Sequence, residues 1–141
     1  PVGVETVAKY IADQFQKFTQ YAGVRPMGVA LIIGGVDKQG NSLFLTDPSG
    51  TYIAYNAVAI GSNSDRVTEF LNKEYKQDMT MNDASILAAA AINLVSENKN
   101  DTNHIKISQI KSETKHFEFL PDSEIMKLAQ SAKEKYVTEK K

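Results

Sequence analysis

MGVALIIGGV, residues 27–36, holds no polar side chain. A strand with one wet face alternates apolar and polar residues, whereas an uninterrupted apolar run reads as a central strand covered on both faces. Gly28, Gly34 and Gly35 mark places where another backbone or a large side chain comes close. On the C-terminal side, DKQGN (37–41) reads as a turn, and residues 42–46 as a short strand with Leu43 and Leu45 opposite Phe44. Asp47-Pro48-Ser49-Gly50 is a second turn, with proline pre-setting φ and glycine free to take a positive one. Residues 51–60 return as a third strand, which makes an antiparallel meander. On the N-terminal side, Val4, Val7, Ala8, Ile11, Phe15, Phe18 and Tyr21 or Ala22 recur at helical spacing. Glu5 suits the positive end of that helix, Gly23 stops it, and Pro26 forces Arg25 into an extended backbone.

Beyond the meander the pattern turns helical. Ser62 or Ser64 caps a helix over 65–75 whose inner face carries Val67, Phe70, Leu71 and Tyr75. Thr80 with Asp83 three residues on is an acidic capping box. It opens an alanine-rich helix to about Val95, with Leu87, Ala91, Leu94 and Val95 inward and the run 88–91 expected at a close approach. A polar loop over 97–103 precedes a hairpin of strands 104–110 and 116–120. Ser123 then starts a last helix with Ile125, Leu128, Ala129, Ala132 and Tyr136 on one face. The order α-βββ-αα-ββ-α clusters its strands, which argues for α+β with antiparallel sheet covered by helices rather than a parallel doubly wound fold.

The 141 residues suit a single domain over 1–141. Lys plus Arg number 16 against 17 Asp plus Glu, a balance without the basic excess that nucleic-acid binding needs. Cysteine is absent, so there is no disulfide framework, thiolate nucleophile or cysteine-ligated zinc. Apolar runs stay short of the roughly 18 residues of a membrane span, and Glu5, Lys9 and Asp13 break any leader-like pattern. Pro1 in place of Met suggests a segment of a longer chain or a processed product.

Motifs of catalysis do not emerge. There is no G-x-S-x-G elbow, P-loop or G-x-G-x-x-G, and Gly34, Gly35 and Gly40 have the wrong spacing. His104 and His116 open the two strands of one hairpin, but only Glu113 and Glu118 could complete a zinc site there, so no metal is expected. The pairs Glu69 with Glu74 and Glu134 with Glu139 lie on wet helix faces. Lys133, Lys135, Lys140 and Lys141 complement the end of the last helix. No catalytic, cofactor or metal residue is assigned.

Three phrases carry more information together than singly. They are QKFTQYAGVRPMGVA (16–30), TDPSGTY (46–52) and AVAIGS (57–62). In this order and spacing the chain closely resembles the α-type subunits of the 20S proteasome in the archaeal style. Phe18, Thr19, Gln20, Gly23, Arg25, Pro26, Gly28, Asp47, Pro48, Ser49, Gly50, Gly61 and Ser62 are its family-motif positions, structural or at interfaces. Phe18 stands where the family usually has tyrosine, and Met27 where it has Phe or Tyr. Arg25 either anchors an interface or satisfies carbonyls at a helix end, and the 47–50 turn is either a contact loop or simply a turn.

The resemblance implies the C-terminal portion of a four-layer αββα sandwich of the N-terminal-nucleophile hydrolase type. The gating N-terminus and most of the activator pocket would precede Pro1. It implies a non-catalytic, cytoplasmic ring subunit acting in protein degradation. Its implied partners are other α subunits, β subunits and an ATPase activator, in a homo-oligomer, with neither nucleic acid nor membrane. Catalytic β-type relatives expose an N-terminal Thr and carry Asp-x-x-Ser-Gly after the second long helix. Here residue 1 is Pro1, and the corresponding loop reads Asn100-Asp101-Thr102-Asn103. The competing readings are a threonine peptidase of the β or HslV type and a free-standing interaction module of the same fold.

Overall fold

The computed structural model describes residues 2–20, 30–96 and 105–136, with side chains at 18–20 excepted. Among these residues the order is α1 (Val4–Gln20), β1 (Leu31–Asp37), β2 (Gly40–Thr46), β3 (Tyr52–Ala54), α2 (Ser64–Glu74), α3 (Met81–Val95), β4 (Ser108–Ile110), β5 (Phe117–Phe119) and α4 (Asp122–Lys135). The expected sequence of helices and strands is therefore present, in an α+β arrangement with two small antiparallel sheets. The chain groups into two compact units, one of residues 1–60 with 112–115, the other of 61–111 with 116–141.

The first unit is a three-strand meander backed by one helix. Its strand order is β1-β2-β3, with Ile33 opposite Phe44, Gly35 opposite Ser42 and Thr46 opposite Tyr52. Helix α1 buries Ala8, Ala12 and Phe15 and half-buries Val4 and Ile11, a stripe at the helical repeat. Val7, expected on that stripe, lies at its margin and is exposed. Phe44 and Thr46 are buried on the α1 side of the sheet. Thr46 stays buried because its hydroxyl is satisfied: it accepts from Leu31 N at 3.2 Å and donates to Leu31 O at 3.4 Å.

β1 departs from expectation. It is an edge strand among the described residues, with β2 in the centre, and Ile32 is 40% exposed. Within its own unit one face is covered, by α1. Alternation from Phe44 and Gly35 sends Ile32, Leu43, Leu45 and Ile53 to the other face, where Ile53 is 55% exposed. An apolar run records that both faces avoid water; it does not record that both are covered. The glycine reading fares better. A Cβ at Gly35 would stand 2.7 Å from Val4 Cγ2, so the absence of a side chain lets α1 approach the sheet. The third strand is shorter than 51–60. After Tyr55 N donates to Leu43 O at 2.9 Å, the chain leaves the ladder at Asn56, a poor strand former.

The second unit packs α2, α3 and α4 with the β4–β5 hairpin. Its core joins Ile86, Ala89, Ala90 and Ala132, flanked by Phe70, Ile107, Leu128 and Tyr136. Leu87 and Ala91 are buried as expected, and Leu94 and Val95 half-buried. Phe70 meets Tyr136 edge to face at 5.6 Å. In the hairpin Gln109 opposes Glu118, and Ser108 and Ile110 oppose Phe119 and Phe117. Its strands are shorter than expected, and His116 precedes β5.

Helix starts show what local chemistry decides. Thr80 Oγ1 accepts from Asp83 N at 3.2 Å, the expected cap, while the Asp83 carboxylate stands 3.8 Å from Lys135 Nζ. Thr80→Ala should lower the unfolding free energy by about 1 kcal/mol, with Thr80→Ser restoring most of it. A urea titration of the three proteins checks this. Neither Ser62 nor Ser64 caps α2. Asn63 occupies the cap position with φ 62°, without a side-chain bond, after Gly61 at φ 103°. Two positive-φ residues, one on either side of Ser62, turn the chain, and Ser64 N donates to Gly61 O at 3.2 Å. α4 begins at Asp122, one residue before expectation, with Pro121 at its cap position and Asp122 and Glu124 in its first turn.

Candidate interaction surfaces and motif positions

Asp37 ends β1 and begins the turn to β2. A carboxylate there can accept from the turn, and here it also reaches α1. Its Oδ1 accepts from Gln39 N at 2.8 Å, and its Oδ2 accepts from Val4 N at 2.9 Å. One side chain thus closes a tight turn and caps a helix 33 residues earlier. The Val4 N–H, then the Gln39 N–H, and more weakly the charge of Lys115 hold its pKa below the ordinary carboxylate value of 3.8. A lowered folded pKa means stability present above 3.8 and lost as pH falls through the folded value. Asp37→Asn should therefore destabilise the protein at pH 7 and flatten the acid side of its stability profile. Urea midpoints at pH 7 and pH 3 for both proteins test this, and equal acid slopes would refute it.

The Asp-Pro-Ser-Gly turn is built the same way. Ser49 N donates to Asp47 Oδ1 at 2.8 Å and Gly50 N to Asp47 O at 2.9 Å, and Asp47 N donates to Thr51 O at 2.9 Å. The Ser49 hydroxyl and amide lower the Asp47 pKa. Gly50 takes φ 96° and lies directly on α1, where an added Cβ would stand 2.5 Å from Gln16 Cβ. The turn is therefore shaped by its own side chains and seated on α1 of the same unit. The contact joins two of the three motif phrases, since Gln16 opens the first and Asp47, Pro48, Ser49 and Gly50 lie in the second.

The other motif positions divide. Phe18, Thr19 and Gln20 form the end of α1, while their side chains lie outside the described residues. Gly23, Arg25, Pro26 and Gly28 lie outside them too, as do Met27, the 97–103 loop and His104. Gly61 supplies the left-handed bend before α2, and Ser62 is exposed. The role of Asp37 in capping α1 escaped the sequence reading. The Asp-x-Gln turn pattern was visible, but no local signal names a partner 33 residues away.

Two apolar surfaces stand open within their own units. One is the sheet face of Ile32, Leu43, Leu45 and Ile53. The other is the outer face of the β4–β5 hairpin, where Phe117 and Phe119 are 49% and 78% exposed and meet edge to face at 4.9 Å. A groove of about 700 Å³ also runs beside α1, lined by Thr6, Lys9, Val36, Asp37, Tyr52 and Lys115 among others. Among the described residues no three His, Cys, Asp or Glu side chains gather as metal ligands. No buried side-chain nitrogen or oxygen among them lacks a hydrogen-bond partner. No helix among them is long and apolar enough to cross a membrane.

Comparison with known proteins agrees with the motif. The proteasome subunit family model matches residues 1–110. The proteasome subunit alpha of Methanothermobacter thermautotrophicus is 45% identical over 125 residues, covering 89% of this chain and 50% of the relative. That of Methanosarcina barkeri is 41% identical over 136 residues, 96% of this chain and 55% of the relative. That of Saccharolobus islandicus is 43% identical over 116 residues, 81% and 48% respectively. The chain thus spans about half the length of these curated relatives. With the family model spanning most of its residues and the three phrases in order, the chain belongs to the proteasome subunit family.

Proposed function

We propose that the chain is part of a non-catalytic α-type ring subunit of the proteasome core, structural and gating in role, in the cytoplasm. The observation that carries this reading is its 40–45% identity to proteins named proteasome subunit alpha over most of its length. The two compact units are read as pieces of one domain. In the first unit a helix backs one face of the sheet and the other face is apolar, which suits the expected αββα layering. Other α subunits, β subunits and an ATPase activator are the partners proposed, and the motif positions serve as structural and interface residues rather than as catalytic ones. The turn at Asp47, Pro48, Ser49 and Gly50 supports that assignment, because its side chains are engaged in shaping the turn and its glycine in meeting α1.

The reading carries no activated nucleophile: catalysis by a Ser or Thr hydroxyl needs a base within hydrogen-bond reach, and no residue here is assigned to that role. The purified chain should leave fluorogenic peptides uncleaved and should co-isolate with the β-type subunit of its own source when the two are expressed together. Turnover that disappears on changing a single Ser or Thr of this chain would overturn the non-catalytic assignment. Failure to co-isolate would overturn the subunit assignment.

A further inference from the structure

We draw no further inference here: the strongest candidate, the groove beside α1 that is bordered by Lys9, Lys38 and Lys115 over Val36 and Tyr52, is an open face of the first unit, and nothing in the structure shows what covers it.

Discussion

Gly50→Ala should lower the unfolding free energy by about 2–6 kcal/mol, the sum of two separate costs. The first is conformational. At φ 96° alanine sits outside even the left-handed helical region, a strain of about 1–3 kcal/mol. The second is steric. The new Cβ would stand 2.5 Å from Gln16 Cβ, 2.9 Å from its Cα and 3.0 Å from its N. These are atoms at the root of a helical residue, not the tip of a side chain that can swing away. Either α1 or the turn must shift, at a typical overpacking cost of about 1–3 kcal/mol. Gly40→Ala separates the two costs, because Gly40 takes φ 111° with nothing within 4 Å of its added Cβ. Urea midpoints should fall for both variants and fall further for Gly50→Ala. Equal losses would show that the turn does not bear on α1 as described.

The second large effect is on mass in solution. Within its own unit the open sheet face spans roughly 300 Å², from two strands of seven residues and one of three, about 4.8 Å apart. That is already at the size of the largest apolar patch on many monomers. The hairpin adds Phe117 and Phe119, both exposed. β1 and β3 also present strand edges unpaired among the described residues. The 141-residue chain should therefore self-associate, with its scattering mass rising as concentration rises. Ile53→Lys combined with Phe119→Ser should reduce that rise, since both side chains are solvent-facing and neither change opens the core. A constant mass near 15.6 kDa across the series would sink the prediction.

What could be read from the residues follows from the range of the forces involved. The inward faces of α2 and α4 were legible because their apolar residues repeat at helical spacing, and Val67, Leu71, Ile125, Ala129 and Ala132 are indeed buried. The cap at Thr80 and the turn at Asp47 were legible because a hydroxyl or carboxylate acts on amides two or three residues away. Gly35 was legible as a close approach, though its neighbour Val4 was not. The central place of β1 was misread, since an apolar run does not say which strand stands at the edge of the sheet. Asn63 displaced the two serines at α2 because Gly61 had already bent the chain, a backbone effect that a search for hydroxyls misses. The motif positions rest on a resemblance that extends across the chain, and the structure adds the meeting of Gly50 with Gln16.

The alanines of α3 and α4 have an entropic consequence. Ala89, Ala90, Ala91, Ala129 and Ala132 are all buried. An alanine side chain has no rotamers to lose on packing, whereas a buried leucine gives up about 0.5–1 kcal/mol of rotational freedom. At these positions the helices are therefore ordered at low entropic cost, and the larger side chains around them, Ile86, Leu128, Phe70 and Tyr136, supply the interlocking. The alanine positions themselves offer little to a truncating mutation, because there is almost nothing to remove. They are correspondingly intolerant of added carbon atoms, which would push the two helices apart.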